Sequence, residues 1–200
     1  MVPGLAPARR SDAWSRETGV SRAARRDSRQ YRRKSSANSL ENNGLLRPSL
    51  GCSDSRVPPE LLFDAGFGEL FVIRIAGNAM SAEVAGSLQY AGVHLKTPLF
   101  LVLGHEGCGA VSAAVDTHFQ KVRYRSRISK LVSKIVPAIR ALNPKLPPDQ
   151  LLSQGIEANV RWTMKQIRSS PEGKARVAEG RVKLVGAIYA IETGRVRFLP

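Results

Sequence analysis

The chain has two cysteines in 200 residues, and both stand in short polar motifs, Cys52-Ser53-Asp54-Ser55-Arg56 and His105-Glu106-Gly107-Cys108. Each motif follows an apolar run and opens into a turn, so two sulfurs and one imidazole can converge on a single metal ion. Thiolate sulfur and imidazole nitrogen are donors that zinc prefers. Three protein ligands leave a fourth position for water, the pattern of a catalytic rather than a structural zinc. His105 and Cys108, three residues apart at a turn into a helix, need little chain closure to reach the same ion. Alone, each residue has an ordinary reading, a small buried thiol or a hydrogen-bonded histidine after a strand. Together, in this order, they point to a metal centre.

The flanks extend the pattern: Gly51-Cys52-Ser53-Asp54-Ser55-Arg56-Val57-Pro58, Phe71-Val72-Ile73-Arg74, Ala76-Gly77-Asn78, Gly104-His105 and Gly107-Cys108-Gly109-Ala110-Val111. With them the chain resembles the β-class carbonic anhydrases from about Leu50 to its C-terminus. The resemblance implies reversible hydration of carbon dioxide to bicarbonate, Zn2+ held by Cys52, His105 and Cys108, and a homodimer or a higher assembly of dimers. It also implies pocket walls at Phe71, Ala76 and Tyr90, with Gly109 as a backbone donor near the metal. Asn43 stands where some members carry a substrate-binding glutamine, and Ile75 where an asparagine commonly follows the arginine of the second strand. Carbon disulfide and carbonyl sulfide hydrolases share the motifs and are an alternative.

Asp54 lies two residues from the first ligand, so its carboxylate can itself fill the fourth zinc position and close the site. A guanidinium two residues further on can hold that carboxylate through paired hydrogen bonds and withdraw it. The resemblance assigns this gating role to Asp54 and Arg56. Zinc then lowers the pKa of its water toward ~7, and the resulting hydroxide attacks carbon dioxide in a narrow apolar pocket. His94, one helical turn beyond Tyr90, is a candidate proton carrier. The competing reading is a non-catalytic zinc-binding or interaction protein in which Asp54 caps the metal permanently.

Composition bounds the alternatives. A 42% hydrophobic content suits one globular domain, and no apolar run approaches the length that spans a bilayer. The net charge is +15, of which residues 1–50 carry +7, eleven Lys or Arg against four acids. No helix-turn-helix, stacking platform or metal-finger pattern accompanies that charge, so neither a specific nucleic-acid partner nor a membrane partner is expected. Residues 1–44 lack apolar periodicity and read as a basic, disordered extension, with a transit segment or a mis-set start as alternatives. Residues 45–200 read as the catalytic domain. Two cysteines placed for a metal suit a reducing compartment, and the expected location is cytoplasmic, or organellar if the extension is a transit segment.

The elements that must position these motifs are legible as periodicity. Leu70–Arg74 and Leu99–Leu103 read as strands, the second an apolar run suited to burial on both faces. Met80, Val84, Leu88, Ala91 and Leu95 mark one helix face, and a further helix should run from Cys108 to about Val115. Ile128 to Leu142, kinked by Pro137, and Leu152 to Ile167 give two more helices. Lys183–Ile191 and Val196–Leu199 read as a terminal hairpin. The fold expected is α/β, a mainly parallel central sheet flanked by helices with a C-terminal antiparallel hairpin. The strand delivering Cys52 should be Leu45–Leu50, where Arg47 and Pro48 are poor occupants of a central strand.

Overall fold

The apolar runs too short for helices become neighbours in one sheet. In the computed structural model, which describes residues 47–66, 68–95, 97–180 and 182–200, β1 (Arg47–Gly51), β2 (Leu70–Arg74), β3 (Leu99–His105) and β4 (Lys183–Ala190) pair in parallel. β5 (Arg195–Phe198) returns antiparallel along β4. The order across the sheet is β2-β1-β3-β4-β5. Between the strands come α1 (Pro59–Leu62), a 3-10 turn (Ala76–Asn78), α2 (Ala82–His94), α3 (Gly109–Phe119), α4 (Ser126–Ile139), α5 (Pro148–Ser169) and α6 (Pro171–Ala178). Local chemistry sets several boundaries. Ser81 Oγ accepts the Val84 amide at 3.3 Å and caps α2. Proline at the first position opens α5, and Pro171 follows its C-cap Ser170.

Side-chain alternation divides the sheet into two faces. Phe100 and Val102 of β3 face the larger helices, where Val111, Ile135, Ile139, Ile156 and Val160 form the main core and Leu50, Ile73, Val84 and Leu88 a second cluster beneath α2. The long α5 lies close against the strands because Gly104 and Gly186 have no side chain. A Cβ there would stand 2.6 Å from Val160 Cγ2 and 2.5 Å from Met164 Sδ. On the opposite face Leu103, Val57 and Ala187 form a small cluster with Leu101, Leu62 and Phe63. No helix among the described residues is long and apolar enough to cross a membrane.

The mainly parallel sheet with its antiparallel final hairpin agrees with the expected fold, and several particulars differ from it. Pro48 is buried inside β1, yet it sits where β1 pairs only with β2. The ladder to β3 begins one residue later, Ser49 opposite Leu101, so the missing N–H interrupts no two-sided pairing. Helix α3 runs to Phe119, about one turn past Val115, and neither α1 nor α6 is among the elements expected from periodicity. Asn43, the basic extension and the start of the expected Leu45–Leu50 strand lie outside the described residues.

Candidate metal centre

β1 and β3 are adjacent, with β2 on one side and β4 on the other, so the chain winds in opposite directions from this pair. Such a switch point opens a crevice beyond the carboxyl ends of the strands. Cys52 follows the last residue of β1, His105 is the last residue of β3, and Cys108 is the N-cap of α3. The sheet therefore brings together residues more than fifty positions apart. All three are buried, and their donor atoms lie within 4.8 Å of one another. Among the described residues no carboxylate joins that group.

The donor chemistry fits a metal ion. The two sulfurs are 4.0 Å apart; a tetrahedral ion with metal–sulfur bonds of ~2.3 Å separates its sulfurs by about 3.8 Å. His105 Nδ1 lies 2.8 Å from the Glu106 carbonyl oxygen, which only accepts, so Nδ1 carries the proton. That leaves Nε2 with a free lone pair, and it is buried without a hydrogen-bond partner. A metal cation would satisfy it. The thiols are matched in the same way. The hydrogen bond from Cys108 holds the Cys52 thiol well below its usual range against its burial, with the Gly77 amide helping. The same bond, and burial, push Cys108 above the usual thiol range. The pair thus shares one proton, which a divalent cation replaces.

Asp54 and Arg56 meet as the spacing implied. Arg56 Nε donates to Oδ1 at 3.0 Å, Nη2 donates to Oδ2 at 2.7 Å, and the Arg56 backbone amide donates to Oδ1 at 3.0 Å. The guanidinium bonds, foremost, hold the carboxyl well below the usual range, at about 2.

A further set of residues supports the ligands, a role that the motifs alone do not assign. The Gly77 amide donates to Cys52 Sγ at 3.2 Å. Gly77 has φ 64°, and a Cβ there would lie 2.7 Å from Ile135 Cδ1, so this position needs glycine on both counts. The turn is anchored from α5: Asn159 Nδ2 donates to the Gly77 carbonyl at 2.7 Å, and Thr163 Oγ1 donates to the Asn78 carbonyl at 3.1 Å. Arg74 Nε donates to the Cys52 carbonyl at 2.9 Å, and its Nη2 to the Asp54 carbonyl. The available signal was the polar pair Asn159 and Thr163, four residues apart on an otherwise apolar face.

The pocket candidates are placed unevenly. Gly109 opens α3 directly after Cys108, and Ala76 begins the turn that carries the Gly77 amide. Phe71 and Tyr90 stack on one another, 6.3 Å between ring centres, where β2 meets α2, and Tyr90 is half exposed. His94 is exposed and lies 4.8 Å from the Tyr90 ring, and no hydrogen bond among the described residues joins it to the metal-binding side chains.

An α/β sheet with a buried Cys-His-Cys triad at its switch point and an arginine-held carboxylate beside it defines a metalloprotein built to hold a thiolate-rich divalent centre. Residues 49–196 match the carbonic anhydrase family profile. The carbonic anhydrase of Mycolicibacterium smegmatis is 36% identical over 149 residues, 73% of this chain and 70% of its own length. Carbonic anhydrase 2 of Mycobacterium tuberculosis is 33% identical over 147 residues, 72% of this chain and 70% of its own. A Coccomyxa β-carbonic anhydrase in complex with acetazolamide has a TM-score of 0.73 at 27% identity, covering 93% of this chain and 81% of that one. Tetrameric β-carbonic anhydrases of Sordaria macrospora share the fold, with a TM-score of 0.73 at 19% identity. The chain belongs to the β-class carbonic anhydrase family.

Proposed function

We propose that this chain catalyses the reversible hydration of carbon dioxide to bicarbonate, with Cys52, His105 and Cys108 holding Zn2+ and Asp54 and Arg56 keeping its fourth position clear. The observation that carries the reading is the buried, unpartnered Nε2 of His105 grouped with two sulfurs 4.0 Å apart. When bound there, zinc supplies the Lewis acidity that makes a water nucleophilic at mild pH. The protein supplies the rest. Glu106 fixes the tautomer of His105 through its carbonyl, and the Gly77 amide orients the Cys52 sulfur.

Arg56 occupies both carboxylate oxygens of Asp54, so that carboxylate stays off the metal. Held ionised at about 2, Asp54 accepts a hydrogen bond without taking a proton near neutrality. It therefore orients rather than acts as a base. The apolar residues Phe71, Ala76 and Tyr90, with Gly109, are proposed as walls for a substrate with few polar handles.

A homo-oligomer completes the reading. Parallel sheets are ordinarily covered on both faces, whereas among the described residues one face of β1, β3 and β4 leaves a cavity of about 360 Å3 along Ser49, Leu99, Leu101 and Val185. A second copy of the chain would cover it. Stopped-flow carbon dioxide hydration, on protein of measured zinc content, tests the activity. Two thiolates cancel the charge of the ion, so the rate should rise toward alkaline pH. A rate that is flat between about pH 6 and about pH 9 contradicts this reading.

A further inference from the structure

Between Asp116 and Asp149 the chain carries eight Lys or Arg and no acidic residue. The densest part is the loop leading into α4 and the first residues of that helix, where Arg123, Arg125, Arg127 and Lys130 are all exposed. Among the described residues none of these four makes an ion pair. The neighbouring cations are engaged: Lys121 Nζ donates to the His118 carbonyl, and Lys134 lies close enough to Glu83 to lower its pKa.

Helix stability does not account for the four. Arg125 is the N-cap and Arg127 is in the first turn, where the helix macrodipole disfavours positive charge, and that turn holds no acid. The field they create matches an anionic surface.

The uncharged residues within the same stretch select the kind of surface. Ile128 is 57% exposed and Val122 37% exposed, whereas Val132, Ile135 and Ile139 further along α4 are buried. Ile128 is thus apolar, beside Arg127, and uncovered by the body of the protein. A phosphodiester backbone offers an aliphatic tip nothing, while the acyl boundary of a bilayer does. A stacking platform for bases is also missing: Tyr124, the one aromatic residue between Gln120 and Lys145, is half-buried against the main core.

We propose that residues 121–130 form a docking surface for an anionic lipid bilayer, bound peripherally, with the four cations over the head groups and Ile128 and Val122 at the acyl boundary. This is surface attachment, for which no spanning helix is needed, and it is independent of the carbon dioxide chemistry.

Co-sedimentation of the full chain with phosphatidylcholine vesicles, with and without phosphatidylglycerol, tests it. Binding should require the anionic lipid and should fall as salt rises from about 0.1 M to about 1 M and the Debye length shrinks to about 3 Å. Each basic residue near the surface contributes about fivefold, so the combined Arg123→Gln, Arg125→Gln and Arg127→Gln variant should lose about 100-fold in partitioning. Ile128→Ser should lose severalfold, and both variants should keep the wild-type thermal melt. Unchanged vesicle binding in either variant, equal binding to neutral vesicles, or tighter binding to a mixed-sequence single-stranded oligonucleotide overturns the proposal.

Discussion

Removing the guanidinium that holds Asp54 should slow the enzyme without emptying the metal site. In Arg56→Ala the carboxylate loses its bonds at 3.0 and 2.7 Å and keeps only the backbone amide of residue 56. Each charge-assisted bond is worth roughly 1.5–3 kcal/mol before solvent competes. Arg56 is 45% exposed, so screening reduces the net hold of the pair to about 1–2 kcal/mol. At 1.4 kcal/mol per tenfold, the balance between a held and a metal-capping carboxylate shifts about five- to thirtyfold toward capping, and turnover falls by up to that factor. Stopped-flow hydration with zinc measured on the same sample reads this directly. Zinc content should stay at wild type, and Asp54→Asn in the Arg56→Ala background should recover part of the rate, because an amide competes more weakly for the ion. Full turnover in Arg56→Ala, or no recovery in the double variant, refutes the gating role.

The supporting residues and the charges give further expectations. Asn159→Ala leaves the Gly77 carbonyl without its donor in a buried site, so thermal unfolding should reveal a loss of about 1–3 kcal/mol, and zinc competition a weaker hold on the metal. Asp54 is depressed to about 2, so its contribution is complete above about pH 4 and is lost as pH falls through 2. After allowance for the exposure of Arg56, Asp54→Asn should flatten acid denaturation by about 1 kcal/mol across that window. Chelation should lower the melting temperature of the wild type, because ions that bind the folded state alone stabilise it. Cys108→Ser, with one thiolate fewer, should bind too little zinc to show that shift in calorimetry.

The parts of this molecule readable along the chain were those governed by local rules. Short apolar runs marked β2 and β3, the four-three spacing from Met80 to Leu95 marked α2, and the ligand motifs identified themselves because few residue types bind zinc. What was hidden depended on partners distant in sequence. Pro48 is tolerable in β1 because of the register with β3, which no property of residues 45–50 reveals. Asn159 and Thr163 gain their purpose only when α5 is laid across the Gly77 turn, 82 and 85 residues away. The placement of Phe71 against Tyr90 likewise follows from packing α2 on β2.

Cobalt(II) substitution followed by titration with a small anion such as azide tests the metal centre most directly, because the visible spectrum reports both the sulfur donors and any exchangeable position. The account predicts one cobalt per folded chain, charge-transfer bands from thiolate, and a spectrum that shifts as the anion enters the fourth position. Folded protein that takes up no cobalt, or a spectrum insensitive to the anion at every pH, would contradict it.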